Sequence, residues 1–298
     1  MRVGMKDRTW PWLAAMALVT AFALACGGGG EEAQEEGGPA EEAGQPVPPD
    51  SAATISGSIT FEGTPPPAEP IDMSEEPVCA EKHTEGPTKQ AAVVGSGGEL
   101  ANVFVYVKDG LAPRNWGTPS EGVTIDQDGC EYHPHVLAIQ VGQPLIIKNS
   151  DGILHNINTQ PTNNQGFNIS QPVTMETERT FSDSEVMIPV KCDVHGWMEA
   201  YIGVQEHPYM AVTGADGSFS LANLPPGTYT IEAWHERYGT QTQSVTVGVQ
   251  ESTEITFTFS SGTATAVPLG EPIDLHDHGR GHERNDASRA QASATARR

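Results

Sequence analysis

The chain has 298 residues, with 39 acids against 16 bases and a formal net charge of −23 at pH 7. So large a negative excess works against binding nucleic acid or an anionic membrane surface. Aromatic residues make up 6%, glycines number 32 and prolines 23, and no long apolar stripe of helical period follows residue 25; the composition implies an all-β body with room for two small domains.

The chain opens with Arg2, Lys6 and Arg8 ahead of the apolar run from Trp10 to Leu24, so residues 1–25 read as an export signal. Ala23-Leu24-Ala25-Cys26 resembles a bacterial lipobox. The resemblance implies cleavage before Cys26 and lipidation of that residue; a plain secretory signal or an uncleaved anchor is the alternative. Either way the remainder is extracytoplasmic, and with the lipid it is a bacterial lipoprotein tethered to a membrane and facing the periplasm or cell surface. Residues 26–53 form an acidic Gly/Glu/Pro linker that cannot bury apolar surface and is expected to stay disordered. Loss of the signal removes three bases and one acid, taking the net charge from −23 to −25.

Folded structure is expected from residue 54. Ile55 to Gly63 and Leu100 to Lys108 read as strands. Between and beyond them lie Cys79 and Cys130, a disulfide candidate in an oxidising compartment. Closing that loop would stabilise the fold by about 4 kcal/mol. The competing reading is a second metal site, zinc or haem-like, because Cys79 precedes His83 and Cys130 precedes His133 and His135.

Val136 to Val141 is a strand, Gly142-Gln143-Pro144 a turn and Leu145 to Asn149 a second strand, with His155-Asn156 just past its end. Met187 to Lys191 leads into Cys192-Asp193-Val194-His195-Gly196-Trp197-Met198, and Glu199 to Val204 leaves it. The spacing Cys-x2-His-x2-Met thus sits on a hairpin loop. One thiolate, two imidazoles and one thioether are the ligand set of a mononuclear type 1 copper site. A binuclear copper centre needs a second Cys in the loop, and zinc favours more Cys or His and no Met.

Over residues 125–205 the chain resembles the cupredoxins, amicyanin and plastocyanin above all, through this loop spacing and a first ligand that is a His followed by Asn. The resemblance implies a Greek-key β-sandwich over 113–205 with copper held by His155, Cys192, His195 and Met198. It implies that Asn156 ties the two ligand segments together beside the thiolate. It also implies an exposed edge of His195 in an apolar docking patch, to which Trp197 would belong unless it packs on the sheet. An electron carrier follows, not an enzyme, whose partner is a redox protein such as a c-type cytochrome or an oxidase. The alternatives are a copper-binding or delivery module without electron relay and a surface interaction module.

Residues 211–260 carry Asp216-Gly217-Ser218-Phe219-Ser220-Leu221, then Leu224-Pro225-Pro226-Gly227-Thr228-Tyr229, then two alternating strands within 245–259. This pattern resembles the carboxypeptidase regulatory-like domain, a transthyretin-like β-sandwich. That family opens with two strands before the Asp-Gly turn, which here are found only at 55–63 and 100–108. The expectation is therefore one sandwich split into 54–112 and 206–260, with the cupredoxin inserted between the halves. His235 in Trp234-His235-Glu236-Arg237 reads as a surface residue, and His133-Pro134-His135 as structural. Residues 261–298 read as a disordered tail in which His276, His278 and His282 could hold metal weakly.

Overall fold

A computed structural model describes residues 47–263. The export signal, Cys26, most of the acidic linker and the tail histidines lie outside the described residues. Within them the chain is almost entirely strands and connections.

In chain order the first elements are β1 (Ala53–Glu62), a one-turn helix α1 (Pro77–Ala80) and β2 (Phe104–Asp109). Nine strands follow: β3 (Val123–Asp128), β4 (Glu131–His133), β5 (Val136–Gln140), β6 (Leu145–Asn149), β7 (His155–Thr159), β8 (Asn168–Gln171), β9 (Met175–Arg179), β10 (Glu185–Lys191) and β11 (Glu199–Gln205). The last five are β12 (Met210–Val212), β13 (Ser218–Leu224), β14 (Gly227–His235), β15 (Gly239–Val247) and β16 (Ser252–Ser260). Period-two alternation is plainest in β1, where Ala53, Ile55, Gly57, Ile59 and Phe61 point inward and the residues between them do not.

Two sheets use both ends of the chain. One has the order β13-β1-β16 and the other β12-β2-β14-β15. β1 runs parallel to β16 from Thr54 opposite Ser252 to Glu62 opposite Ser260. Gly57 is required there, because a Cβ on it would lie 1.9 Å from the carbonyl oxygen of Ile255. Ile55, Ile59, Val105, Val107, Phe219, Leu221, Ile231, Phe257 and Phe259 fill the space between these sheets. The Asp216-Gly217 turn that precedes β13 has Gly217 at φ +66°, and the Asp216 carboxylate accepts the backbone N–H of Ser218.

The other two sheets have the orders β5-β11-β10-β7-β8 and β4-β3-β6-β9. β5 is parallel to β11 and β3 to β6, so consecutive strands cross from sheet to sheet instead of forming one meander. Their shared core contains Ile125, Tyr132, Ile139, Leu145, Ile147, Ile157, Phe181, Ile188 and Ile202, and it ends at Cys192 and Met198.

A third apolar cluster joins the two bodies: Phe104, Tyr106 and Trp234 meet Val136, Met187 and Tyr201. Gly203 on β11 makes room for the Phe104 ring, since a Cβ there would sit 2.6 Å from it. Beside this seam the ring of His135 meets two acceptor oxygens, the Glu236 carboxylate at Nε2 (2.5 Å) and the Glu199 carbonyl at Nδ1 (3.0 Å).

Candidate metal centre

Strand register brings the ligand segments together. β10 and β11 pair through Val190 opposite Ala200 and Lys191 opposite Glu199, which closes residues 192–198 as a loop at the end of the core. β7 pairs antiparallel with β10, Lys191 lying opposite Asn158. Continuing that register past Lys191 carries Cys192 alongside Ile157 and Asp193 alongside Asn156, one residue from His155. His155 lies past the end of β6, as expected, and is also the first residue of a further strand, β7, paired with Gln171 of β8. The polar sequence His-Asn-Ile-Asn-Thr hid that strand.

The His155 Nδ1 lies 2.9 Å from His195 Nδ1, and Cys192 Sγ lies 3.8 Å from that same His195 atom. One ligand atom from each residue falls within 4.8 Å of the others, and all three side chains are buried. Met198, 1% exposed, belongs to the same core cluster as Cys192, and its backbone carbonyl accepts the Cys192 N–H. The donor set of thiol, two converging imidazole nitrogens and a buried thioether fits copper better than any ion that prefers oxygen.

The loop is fixed by hydrogen bonds around the sulfur. The His195 N–H points at Cys192 Sγ (3.4 Å), and the Asn156 Oδ1 accepts the Asp193 N–H (2.6 Å) and contacts the sulfur (3.4 Å). The Asn156 amide N–H and those of Asn158 and Asn168 converge on the Asp193 carboxylate. Tyr132 donates its hydroxyl to the Asn156 carbonyl at 2.6 Å. Burial pushes the Cys192 thiol up, but hydrogen bonds from His155 and from neighbouring backbone N–H groups outweigh it and hold the thiol below its ordinary value. His195 is lowered, first by burial and then by the neighbouring His155.

Sequence reasoning missed Asp151. Its carboxylate accepts from His155 Nε2 at 2.8 Å, on the ring edge opposite Nδ1, and both side chains are fully buried. The same carboxylate accepts the backbone N–H of Gly129 (2.8 Å) and Cys130 (2.7 Å) and a short contact from Lys82 Nζ. Burial alone would raise this carboxyl; the bonds from His155, Lys82, Cys130 and Gly129 overcome it and hold the group well below the carboxylate range. For His155, burial works downward, and Asp151 and Cys192 reverse it to a net rise. The local signal was an acid four residues before the first ligand, inside the turn Ser150-Asp151-Gly152. Lys82, 69 residues away, carried none.

Cys79 and Cys130 are joined as a disulfide. This removes the second-metal reading, and the histidines near it are engaged elsewhere: His83 with the Gly129 carbonyl and His133 with the Asp128 carbonyl. The disulfide packs with Met73, and Trp197 lies on the cluster. The Trp197 indole N–H donates to the Cys130 carbonyl at 3.0 Å, and its ring sits 5.2 Å from that of His195. The expected exposed edge of His195 is therefore covered: the residue is 2% exposed. Exposed apolar surface beside the centre comes instead from Leu154 and Val194, each adjacent to a ligand segment. His235, expected at the surface, is 1% exposed and lies 4.6 Å from the Tyr238 ring.

A sequence model of the carboxypeptidase regulatory-like domain matches residues 199–260. The match takes in β11, whose sheet partners belong to the body that holds the His155, Cys192 and His195 cluster, and β12 to β16. No curated protein matches the chain. Among solved structures, a copper-containing nitrite reductase from Thermus scotoductus SA-01 is 20% identical over 32% of this chain, with a TM-score of 0.27. This chain spans about a quarter (24%) of that enzyme's length. A purple cupredoxin from Nitrosopumilus maritimus is 22% identical over 28% of this chain and 98% of its own, with a TM-score of 0.24. An amicyanin variant is 18% identical over 28% of this chain and 82% of its own, with a TM-score of 0.25. Likenesses this partial decide nothing alone; the ligand cluster carries the reading.

Proposed function

We propose that the protein is a type 1 copper protein that carries single electrons between extracytoplasmic redox partners and is not itself an enzyme. The observation that carries this is the convergence of the buried His155 and His195 Nδ1 atoms with the Cys192 sulfur, with Met198 buried in the same core cluster as Cys192. Copper held there supplies a one-electron Cu(II)/Cu(I) couple. His155, Cys192 and His195 would be the strong ligands and Met198 a weak thioether donor. The surrounding residues hold that set rigid: Asn156 ties the β7 end to the loop, and the Asp193 knot of three asparagine amides keeps the loop from opening. A rigid pocket keeps ligand movement between the two charge states small. Full burial of both imidazoles favours retention of the metal over its delivery to another protein.

Leu154 and Val194 give a partner apolar surface close to the ligands, and the acidic chain suits a basic partner such as a c-type cytochrome. The seven strands β1, β2 and β12 to β16 would be the complete carboxypeptidase regulatory-like sandwich, with the copper body inserted between β2 and β12. A lipid on Cys26 and the acidic linker would hold both at a membrane surface. Titrating Cu(II) into the purified full chain tests the reading: one equivalent should produce an intense visible thiolate-to-copper band that ascorbate bleaches and an oxidant restores. Binding with no such band would refute it.

A further inference from the structure

A carboxylate buried against the outer edge of a metal-facing imidazole is not required to build the pocket. Backbone carbonyls or water can receive that ring N–H, and a buried charge is costly unless it is fully bonded. Asp151 is fully bonded, by His155 Nε2, by two backbone N–H groups and by Lys82. All its partners except His155 come from the neighbourhood of the disulfide. Lys82 stands three residues after Cys79, and Gly129 and Cys130 form the turn at the other sulfur. The bond between Cys79 and Cys130 thus fixes the cation and the two amides relative to the ligand ring.

We propose that Asp151 is a positioning and potential-setting residue for the copper centre, and that Lys82 opposes it. The inference rests on the type 1 reading above. By accepting the Nε2–H, Asp151 holds Nδ1 of His155 toward His195 and Cys192 as the nitrogen that would give copper its lone pair once the metal displaces the proton shared with Cys192, and its charge would make that nitrogen a stronger donor. A stronger donor and a nearby negative charge favour Cu(II) over Cu(I), which lowers the potential. Lys82, only partly covered and in direct contact with the carboxylate, withdraws part of that charge. The two side chains therefore act with opposite signs on one observable, which mere structural support does not do.

The test uses the full chain and its Asp151→Asn and Lys82→Met variants, each loaded with copper. Midpoint potential, Cu(II) and Cu(I) affinity by chelator competition, visible spectrum and copper-free melting temperature are recorded. For Asp151→Asn the expected result is a Cu(II) affinity about 10–100-fold lower, with a smaller loss for Cu(I). Each tenfold excess of the Cu(II) loss raises the potential by about 59 mV for one electron. For Lys82→Met the expected shift is downward, with the visible band kept in both variants. Potentials that stay put, or that move in the same direction in both variants, overturn the proposal. If Asp151→Asn does not fold, Lys82→Met decides alone: a lowered potential supports the proposal and an unchanged or raised one overturns it. A parent protein without the visible band would remove the type 1 reading and this inference with it. A blue parent with unmoved variants removes only the inference.

Discussion

The two bodies bury different things. Between the sheets β13-β1-β16 and β12-β2-β14-β15 the interior is mostly aliphatic and aromatic, with the His235 imidazole buried beside Tyr238 and Phe259, and Tyr209 and Tyr229 place their hydroxyls on backbone carbonyls at its margin. At the loop end of the other body, His155, His195, Asn156 and Cys192 are buried together, with the Asp151 side chain behind them. Burying that many polar groups costs free energy unless each one is bonded, and the bonding there is dense. The comparison separates the two interiors: one is built mainly for cohesion, and the other gives up some cohesion at one end to bury a cluster of imidazole, amide and sulfur groups. The apolar seam around Phe104 and Gly203 lets the first support the second.

The sharpest way to break this division is at the thiol. Cys192→Ser should abolish the visible copper band while leaving the melting temperature of the copper-free protein within a few degrees of the parent. A large loss of copper-free stability would instead make Cys192 a packing residue. Next in size is the disulfide. Replacing Cys79 and Cys130 with Ala should cost about 4 kcal/mol in denaturant unfolding and weaken copper retention, because Trp197, Met73 and Lys82 depend on that anchor. Unchanged copper retention would show that the cover over His195 stands without it.

Phe104→Ala should cost about 3–5 kcal/mol, since the ring is fully buried at the seam. If it also loosens copper, the seam transmits to the site; if it does not, the bodies are mechanically independent.

Acid should separate the bodies in a different way. Burial depresses the His235 imidazole to about 4. The unfolded chain takes up that proton near pH 6.5, so from pH 6.5 down to about 4 the unfolded state binds more protons and stability falls as pH falls. Comparing unfolding free energies of the parent and His235→Gln across this window isolates the contribution. The variant should lose less stability on acidification, and parallel curves would rule the contribution out. The smallest effect belongs to Met198→Gln, which should keep copper and lower its potential; an unmoved potential would deny Met198 a place among the ligands.

What could be read from the sequence was local. The strand Leu145–Asn149, the Asp216-Gly217 turn and the loop spacing from Cys192 to Met198 each depend on neighbours a few residues apart. The Cys79 to Cys130 bond was legible from counting cysteines in an exported chain. What was not legible depends on distant pairing. β7, β8 and β9 are polar and short, and they become strands only once β10 and β6 supply their edges. The charge on Lys82 acquires meaning only through Asp151, and no spacing links them. His235 looked exposed because it ends a strand beside Glu236 and Arg237. Tyr238 and Phe259 close over it, and the residue order did not show that. The cover over His195 has the same origin: a segment near residue 79, pinned to residue 130, brings Met73 and the disulfide against Trp197.

The most direct test of the central claim is X-ray absorption at the copper edge of the full chain loaded with one equivalent of metal. The account predicts one short copper–sulfur bond together with two imidazole nitrogens, and loss of that sulfur shell in Cys192→Ser. A first shell of nitrogen and oxygen alone, in a protein that is folded and fully loaded, would contradict it.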